Sequence, residues 1–278
     1  MAEGEGLGDG KSRGRILART LAFKKKVKDG GIVIGAWLSI TDPSVVEAFG
    51  HAGFDFVIID MEHGGDFGDL HPLKLALIAL SGSATVPMVR VPWNDQVRIK
   101  QVLDLGVEGV MAPMVSTVEE CKALVSACLY PPRGRRGSGP RRASNYYRDA
   151  VEYMAVANDA IFIMPQIENI ATIDVLDDFL AVPGIDAVAI GPNDMSGTAG
   201  VFGDRRHPKI TGAIEAICRA AGKRHLPVFD GLVTPVAEIA DHVARGMRII
   251  TIAGDMDLIV AGTRDVLKAA RERLGVGD

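Results

Sequence analysis

Short, nearly pure aliphatic runs alternate along this chain with longer stretches whose apolar residues recur every three or four positions. The first pattern is that of a strand buried on both faces, the second that of a helix with one buried side. Strands are expected at Gly31–Leu38, Phe54–Asp60, Val86–Val91, Gly109–Ala112, Ala160–Met164, Ala187–Ile190, Pro227–Asp230 and Arg248–Ile252. Helices are expected at Pro43–His51, Leu70–Leu80, Gln96–Leu105, Val118–Leu129, Ile170–Leu180, Lys209–His225, Pro235–Arg245 and Met256–Leu274, with some further helix at Arg148–Asn158. Asp42 is placed to cap the first of them, and Pro43 suits its first turn.

Eight strands alternating with eight helices in 278 residues is the pattern of an α/β protein of the (β/α)₈ barrel type, typically about 250 residues long. An open doubly wound sheet is the rival. To bind a nucleotide it would need a glycine-rich loop after the first strand, and Trp37-Leu38-Ser39-Ile40-Thr41 supplies none. One barrel domain is therefore expected over residues 15–278. Residues 1–14 carry five glycines and no apolar period, and read as a disordered tail.

Composition narrows the function by exclusion. With a formal net charge of −4 there is no support for nucleic-acid binding and little for attraction to a membrane surface. No apolar run approaches the ~18 residues of a spanning helix, and the acidic, glycine-rich start is unlike a secretion signal, so a cytoplasmic protein is expected. Cys121, Cys128 and Cys218 sit among apolar neighbours without metal-ligand spacing, as core residues.

Barrels of this kind do their chemistry at the carboxyl ends of the strands. Those ends here carry Asp60-Met61-Glu62-His63, Arg90, Gln166 with Glu168, and Asn193-Asp194, each after an apolar run. Alone, Glu168 could serve a helix dipole and Asp194 a turn after Gly191-Pro192. A right-handed βαβ crossover puts them side by side, where two carboxylates can hold one hard divalent cation such as Mg²⁺. His63 could be a surface loop residue, or a general base whose tautomer Asp60 or Glu62 fixes. Arg90 needs an anionic partner, either Asp60 or the substrate. Gly231-Leu232-Val233 is expected to line the far side of the pocket. Tyr130–Arg142, with five arginines in Arg133–Arg142, reads as an active-site loop or a subunit contact.

Taken in order and spacing, Asp60-Met61-Glu62-His63, Val89-Arg90-Val91-Pro92, Tyr130-Pro131-Pro132-Arg133-Gly134, Gln166-Ile167-Glu168 and Gly191-Pro192-Asn193-Asp194-Met195-Ser196 resemble the class II pyruvate aldolases. That family includes 4-hydroxy-2-oxoheptanedioate and 2-dehydro-3-deoxyglucarate aldolases. The resemblance runs from Gly31 to Leu274. It implies a barrel that binds Mg²⁺, Mn²⁺ or Co²⁺ and assembles as a hexamer, a trimer of dimers that swap the last helix. Glu168 and Asp194 would be metal ligands, His63 the acid–base residue, Arg90 the enolate stabiliser and Gln166 the holder of the pyruvyl moiety. The resemblance alone gives Asp104 a role, raising the basicity of the histidine. Asn193 stands where relatives have a small residue, and the N-terminal extension is longer than usual.

The substrates so implied are a 2-oxo acid and an aldehyde, with a metal-bound pyruvate enolate between them. The same enolate could come from decarboxylating oxaloacetate, as in a macrophomate-synthase-like carbon–carbon bond-forming enzyme. A non-catalytic binding barrel is the alternative from another class. No lysine occupies the strand ends, so a Schiff-base aldolase has no support.

Overall fold

The computed structural model describes residues 16–276, so the tail expected over 1–14 lies outside the described residues. Eight parallel strands close into a barrel in chain order: β1 (Val33–Leu38), β2 (Phe56–Asp60), β3 (Val86–Arg90), β4 (Gly109–Ala112), β5 (Phe162–Ile167), β6 (Val188–Ile190), β7 (Val228–Val233) and β8 (Met247–Gly254). The expected (β/α)₈ architecture is thus the observed one, and the open sheet is ruled out by the β1–β8 pairing.

Alternation along the strands builds two cores. Residues pointing out of the barrel, such as Val57, Ile59, Val89, Val110, Ile163 and Ile190, pack under the helices. Residues pointing in, Phe56 and Ile58, Val86 and Met88, Phe162 and Met164, and Phe229, fill the interior. The period of two carries this inward face on to the strand ends: the next inward position after Ile58 is Asp60, after Met88 is Arg90, and after Met164 is Gln166. The aliphatic filling becomes a polar floor at the carboxyl end without any change of register.

The helices are α1 (Ala18–Lys28), α2 (Pro43–His51), α3 (Leu70–Ala79), α4 (Gln96–Asp104), α5 (Val118–Cys128), α6 (Ala150–Ala160), α7 (Leu176–Leu180), α8 (Pro192–Thr198), α9 (Pro208–Lys223), α10 (Ile239–Ala244) and α11 (Asp255–Leu274). Asp42 caps α2 as expected, its carboxylate accepting from Ser44 N at 2.8 Å. Thr117 and Glu120 form a reciprocal capping box on α5. The stretch expected to be helical over Ile170–Leu180 opens instead as 3-10 turns at Ile170–Val175 before α7.

Two helices had no sequence expectation. α1 lies under the amino-terminal end of the barrel, with the Phe23 ring edge-on to Phe56 at 5.7 Å and Phe162 at 5.3 Å. Arg19 and Thr20 anchor it to the buried Glu108. α8 forms out of Pro-Asn-Asp-Met-Ser-Gly-Thr, with Pro192 at its first turn.

The arginine-rich connection is corrected by topology. It lies between α5 and α6, ahead of β5, and bonds to the end of α4 through Arg136 and Arg142, so it sits at the amino-terminal end of the barrel, away from the carboxyl ends. Arg136 in it is fully buried, bonded to Asp104 at 2.9 Å and stacked over the Tyr130 ring at 4.4 Å. α11 departs from the barrel after β8 and leaves Leu258, Ile259, Val260 and Leu267 about half exposed. Ile34, on the outer face of β1, is partly uncovered as well. Among the described residues, no helix is long and apolar enough to cross a membrane.

Candidate active site

A cavity of about 730 Å³ opens at the carboxyl ends of the strands, and Asp60, His63, Arg90, Gln166, Glu168, Asn193, Asp194 and Leu232 all line it. Of the residues chosen from sequence, only Asp104 is elsewhere. It ends α4 at the opposite end of the barrel, where it pairs with Arg136. Within this chain it does not act on His63. α4 carries the chain back from the carboxyl end of β3, so its last residue must lie at the amino-terminal end.

Arg90 and Asp60 are register partners on β3 and β2. Arg90 Nε and Nη2 donate to the two Asp60 carboxylate oxygens at 2.9 and 2.6 Å, a two-point pair that fixes the plane of the guanidinium. Glu62 lies 3.2 Å from Arg90 Nη1, and the guanidinium sits 4.7 Å above the Trp37 ring. Trp37 is itself held by a bond from Nε1 to Thr251 at 3.2 Å. Burial disfavours the charge of Arg90, but Asp60 and the acids around it more than offset this, so it stays a permanent cation.

Asp60 accepts its hydrogen bonds from groups other than the histidine ring. Besides Arg90 it accepts from the backbone amides of Glu62 and His63 at 3.1 and 3.2 Å. The His63 side chain is 67 % exposed, and its Nε2 is 3.8 Å from Glu62, beyond hydrogen-bond range. The expected carboxylate–imidazole hydrogen bond is therefore absent among the described residues, and the ring stands exposed at the mouth of the cavity.

Glu168 is buried just past the end of β5, and one of its oxygens accepts from Met114 N at 2.8 Å. The backbone of Gly191 closes over it, and β6 sits next to β5 through the Gln166–Ala189 and Ile167–Ile190 register pairs. Asp194, two residues into α8, faces the same space. Burial pushes the Glu168 carboxyl up to about 7, opposed by the Met114 amide and raised further by the charges of Glu62 and Asp194. Burial raises Glu62 likewise, against the pull of Arg90. Gln166 is buried with its Oε1 unpartnered.

Sequence reasoning passed over several lining residues. Trp37 looked like part of a strand, and Phe202, Gly203, Arg205 and Asp257 lie in loop or helix-start positions that carry no period. Among the described residues, no group of three or more His, Cys, Asp or Glu side chains could hold a metal on protein ligands alone. Glu168 with Asp194 is a two-carboxylate set, the kind a hard cation uses when water and substrate complete its coordination.

The family model described as HpcH/HpaI aldolase/citrate lyase matches residues 33–261. The chain belongs to that family. Over 210 residues this HpcH/HpaI family member is 39% identical to the hydroxypyruvate/pyruvate aldolase of Roseovarius nubinhibens, covering 74% of this chain and 81% of that one. It is 33% identical over 243 residues to the 5-keto-4-deoxy-D-glucarate aldolase of Shigella dysenteriae, covering 87% and 93%. The solved structure of an HpcH/HpaI aldolase/citrate lyase family protein from Burkholderia cenocepacia superposes with a TM-score of 0.82 at 29% identity, over 90% of this chain and 99% of that one. The aldolase reading of the sequence is borne out, and with it the assignment as a carbon–carbon lyase.

Proposed function

We propose that this chain is a divalent-metal-dependent aldolase that interconverts 4-hydroxy-2-oxo acids with pyruvate and an aldehyde. The observation that carries the proposal is the meeting of three things in one cavity. A buried carboxylate, Glu168, and a more open one, Asp194, come from adjoining strand ends, and a guanidinium is locked in orientation by Asp60 beside them.

The donor set fits Mg²⁺, Mn²⁺ or Co²⁺: two hard oxygen ligands, no thiolate, and open space for water and a chelating 2-oxo acid. Bound between Glu168 and Asp194, such an ion would supply Lewis-acid polarisation of the 2-oxo group. Arg90 adds a fixed positive charge where the enolate oxygen becomes negative, with no cost of reorienting it during the reaction. Gln166, buried at the end of β5, offers its carboxamide Nε2 as a donor to an oxygen of the pyruvyl part. In cleavage, His63 takes the proton of the C4 hydroxyl, the C3–C4 bond breaks, and its electron pair forms the enolate as the aldehyde departs. A proton delivered to C3 then completes pyruvate.

We further propose a homo-oligomer, a hexamer built as a trimer of dimers. Its support is the half-exposed apolar side of α11, together with the uncovered Ile34 on the barrel wall. Three unpaired thiols among the described residues suit a cytoplasmic setting.

The test is cleavage with coupled detection of pyruvate. Treatment with EDTA is expected to abolish activity and Mg²⁺, Mn²⁺ or Co²⁺ to restore it, while Glu168→Ala and Asp194→Ala lose both turnover and Mn²⁺ binding. Full cleavage in EDTA would exclude the proposal. Unchanged ligand binding in both variants would favour a non-catalytic barrel. Pyruvate released from oxaloacetate in the absence of any aldol cleavage would move the assignment to decarboxylation.

A further inference from the structure

The cavity holds a second arginine that the aldol chemistry leaves unused. Arg205 lies in the loop between α8 and α9 and lines the same cavity as Phe202, Gly203 and Leu232. That loop is tied to α8 at several points: Gly203 N donates to Ser196 Oγ at 2.9 Å, and Val201 N to Ser196 O at 2.9 Å. Ser196 Oγ in turn donates to Asn193 O at 2.6 Å. Asp204 N donates to Val201 O at 3.0 Å, and His207 N to Asp204 O at 3.2 Å. Arg205 is thereby presented to the cavity from a hydrogen-bonded turn anchored beside Asp194.

The two arginines differ in what they have left to give. Arg90 is committed to the floor of the cavity, its guanidinium paired two-point with Asp60, near Glu62 and above the Trp37 ring. Arg205 makes no hydrogen bond or ion pair among the described residues, and its attraction to Asp230 acts only through space. The other charged groups on its side of the cavity are the carboxylates of Asp194 and Asp257, so a negatively charged substrate end has one unsatisfied cation to meet. A 2-oxo acid placed against Glu168 and Gln166 occupies the floor, which leaves the Arg205 side for the acceptor aldehyde.

We propose that Arg205 anchors an anionic group at the far end of the acceptor, so that the enzyme selects aldehydes bearing a terminal carboxylate or phosphate over neutral ones. Phe202, 84 % exposed at the rim, and Leu232 opposite flank the intervening carbon chain. The inference rests on the aldolase reading. A planar guanidinium binds either oxyanion in two-point fashion, so the shared chemistry is a terminal oxyanion.

The experiment compares succinic semialdehyde, D-glyceraldehyde 3-phosphate and the uncharged methyl 4-oxobutanoate as acceptors with pyruvate. Arg205→Ala is expected to lower kcat/KM for the preferred anion by about 10- to 100-fold, mostly through KM, and to leave the neutral ester within about twofold, the size set by one charged hydrogen-bonding partner. Arg205→Lys should recover part of the loss, and Arg206→Ala, changed in the same loop but outside the cavity, should match the parent. The acceptor that suffers most identifies carboxylate or phosphate. Deuterium uptake at the pyruvate methyl, measured by NMR without aldehyde, reports the enolate step independently. If exchange is intact in Arg205→Ala and the anion-to-ester ratio is unchanged, the assignment of Arg205 is overturned. If the parent enzyme shows no exchange, the aldolase reading fails instead. Calorimetric titration with succinic semialdehyde and glyceraldehyde 3-phosphate then decides the Arg205 assignment alone, equal affinity for parent and variant overturning it.

Discussion

Gly191 offers a way to disable the site without touching any group that bears charge. It leaves β6 with a negative φ of −107°, so alanine is not excluded there by the left-handed conformation that favours glycine. Space is the obstacle. A Cβ on residue 191 would stand 2.8 Å from Glu168 Cδ and nearer still to Cγ and Oε1. Carbon atoms settle at about 3.5–4.0 Å, so the Glu168 side chain must retreat by roughly 1 Å. It cannot do so freely, because its other oxygen is held by Met114 N and it has almost no solvent around it. A displacement of about 1 Å in a catalytic group costs on the order of 100-fold in rate, equivalent to about 2.7 kcal/mol of transition-state stabilisation. Gly191→Ala is thus expected to fold, to lose about 100-fold in kcat/KM for aldol cleavage, and to bind Mn²⁺ more weakly by electron paramagnetic resonance titration. Parent-like cleavage and Mn²⁺ affinity in a variant whose circular dichroism is unchanged would refute the view that the Gly191 backbone sets the position of Glu168.

Arg136→Ala should lower the unfolding free energy by about 3 kcal/mol in urea titration, because it strands Asp104 and empties the space between Tyr130 and Tyr153. A loss under about 1 kcal/mol would show that the arginine-rich connection is not pinned by this residue. Burial pushes the Cys121 thiol up to about 12 and Cys218 to about 11, so thiol reagents at pH 8 should label the native chain slowly and the guanidinium-unfolded chain promptly. These thiols stay protonated when folded, so their contribution to stability is full below the ordinary value of 9.0 and is lost as pH rises toward about 12. Rapid stoichiometric labelling of native protein, or stability flat across that alkaline range, would contradict the burial of these thiols.

Much of this was readable because a barrel converts sequence period directly into position. Once Ile58 and Met88 are known to point inward, Asp60 and Arg90 must emerge together at the carboxyl end, and their pairing needs no further information. Glu168 and Asp194 were placed by the same logic through one crossover. α1 escaped because its inward residues, Thr20, Phe23 and Val27, are few among lysines, and nothing local to them says that they stop the end of a barrel. α8 escaped because Pro, Asn, Asp and Gly signal a turn, and only packing of Met195 and Ser196 against the barrel holds them in a helix. Asp104 was carried over by motif, and the direction of α4 removes it from the cavity of its own chain. Arg205 belongs to a segment fixed by backbone bonds to Ser196, a relation between loop and helix that no spacing encodes.

Phe23, packed beneath Phe56 and Phe162, plugs the amino-terminal end of a barrel whose interior is already filled, so the cavity opens toward the carboxyl ends of the strands. Ordered binding, with the keto acid ahead of its aldehyde, is the expected outcome of product-inhibition kinetics, and random-order patterns would count against it.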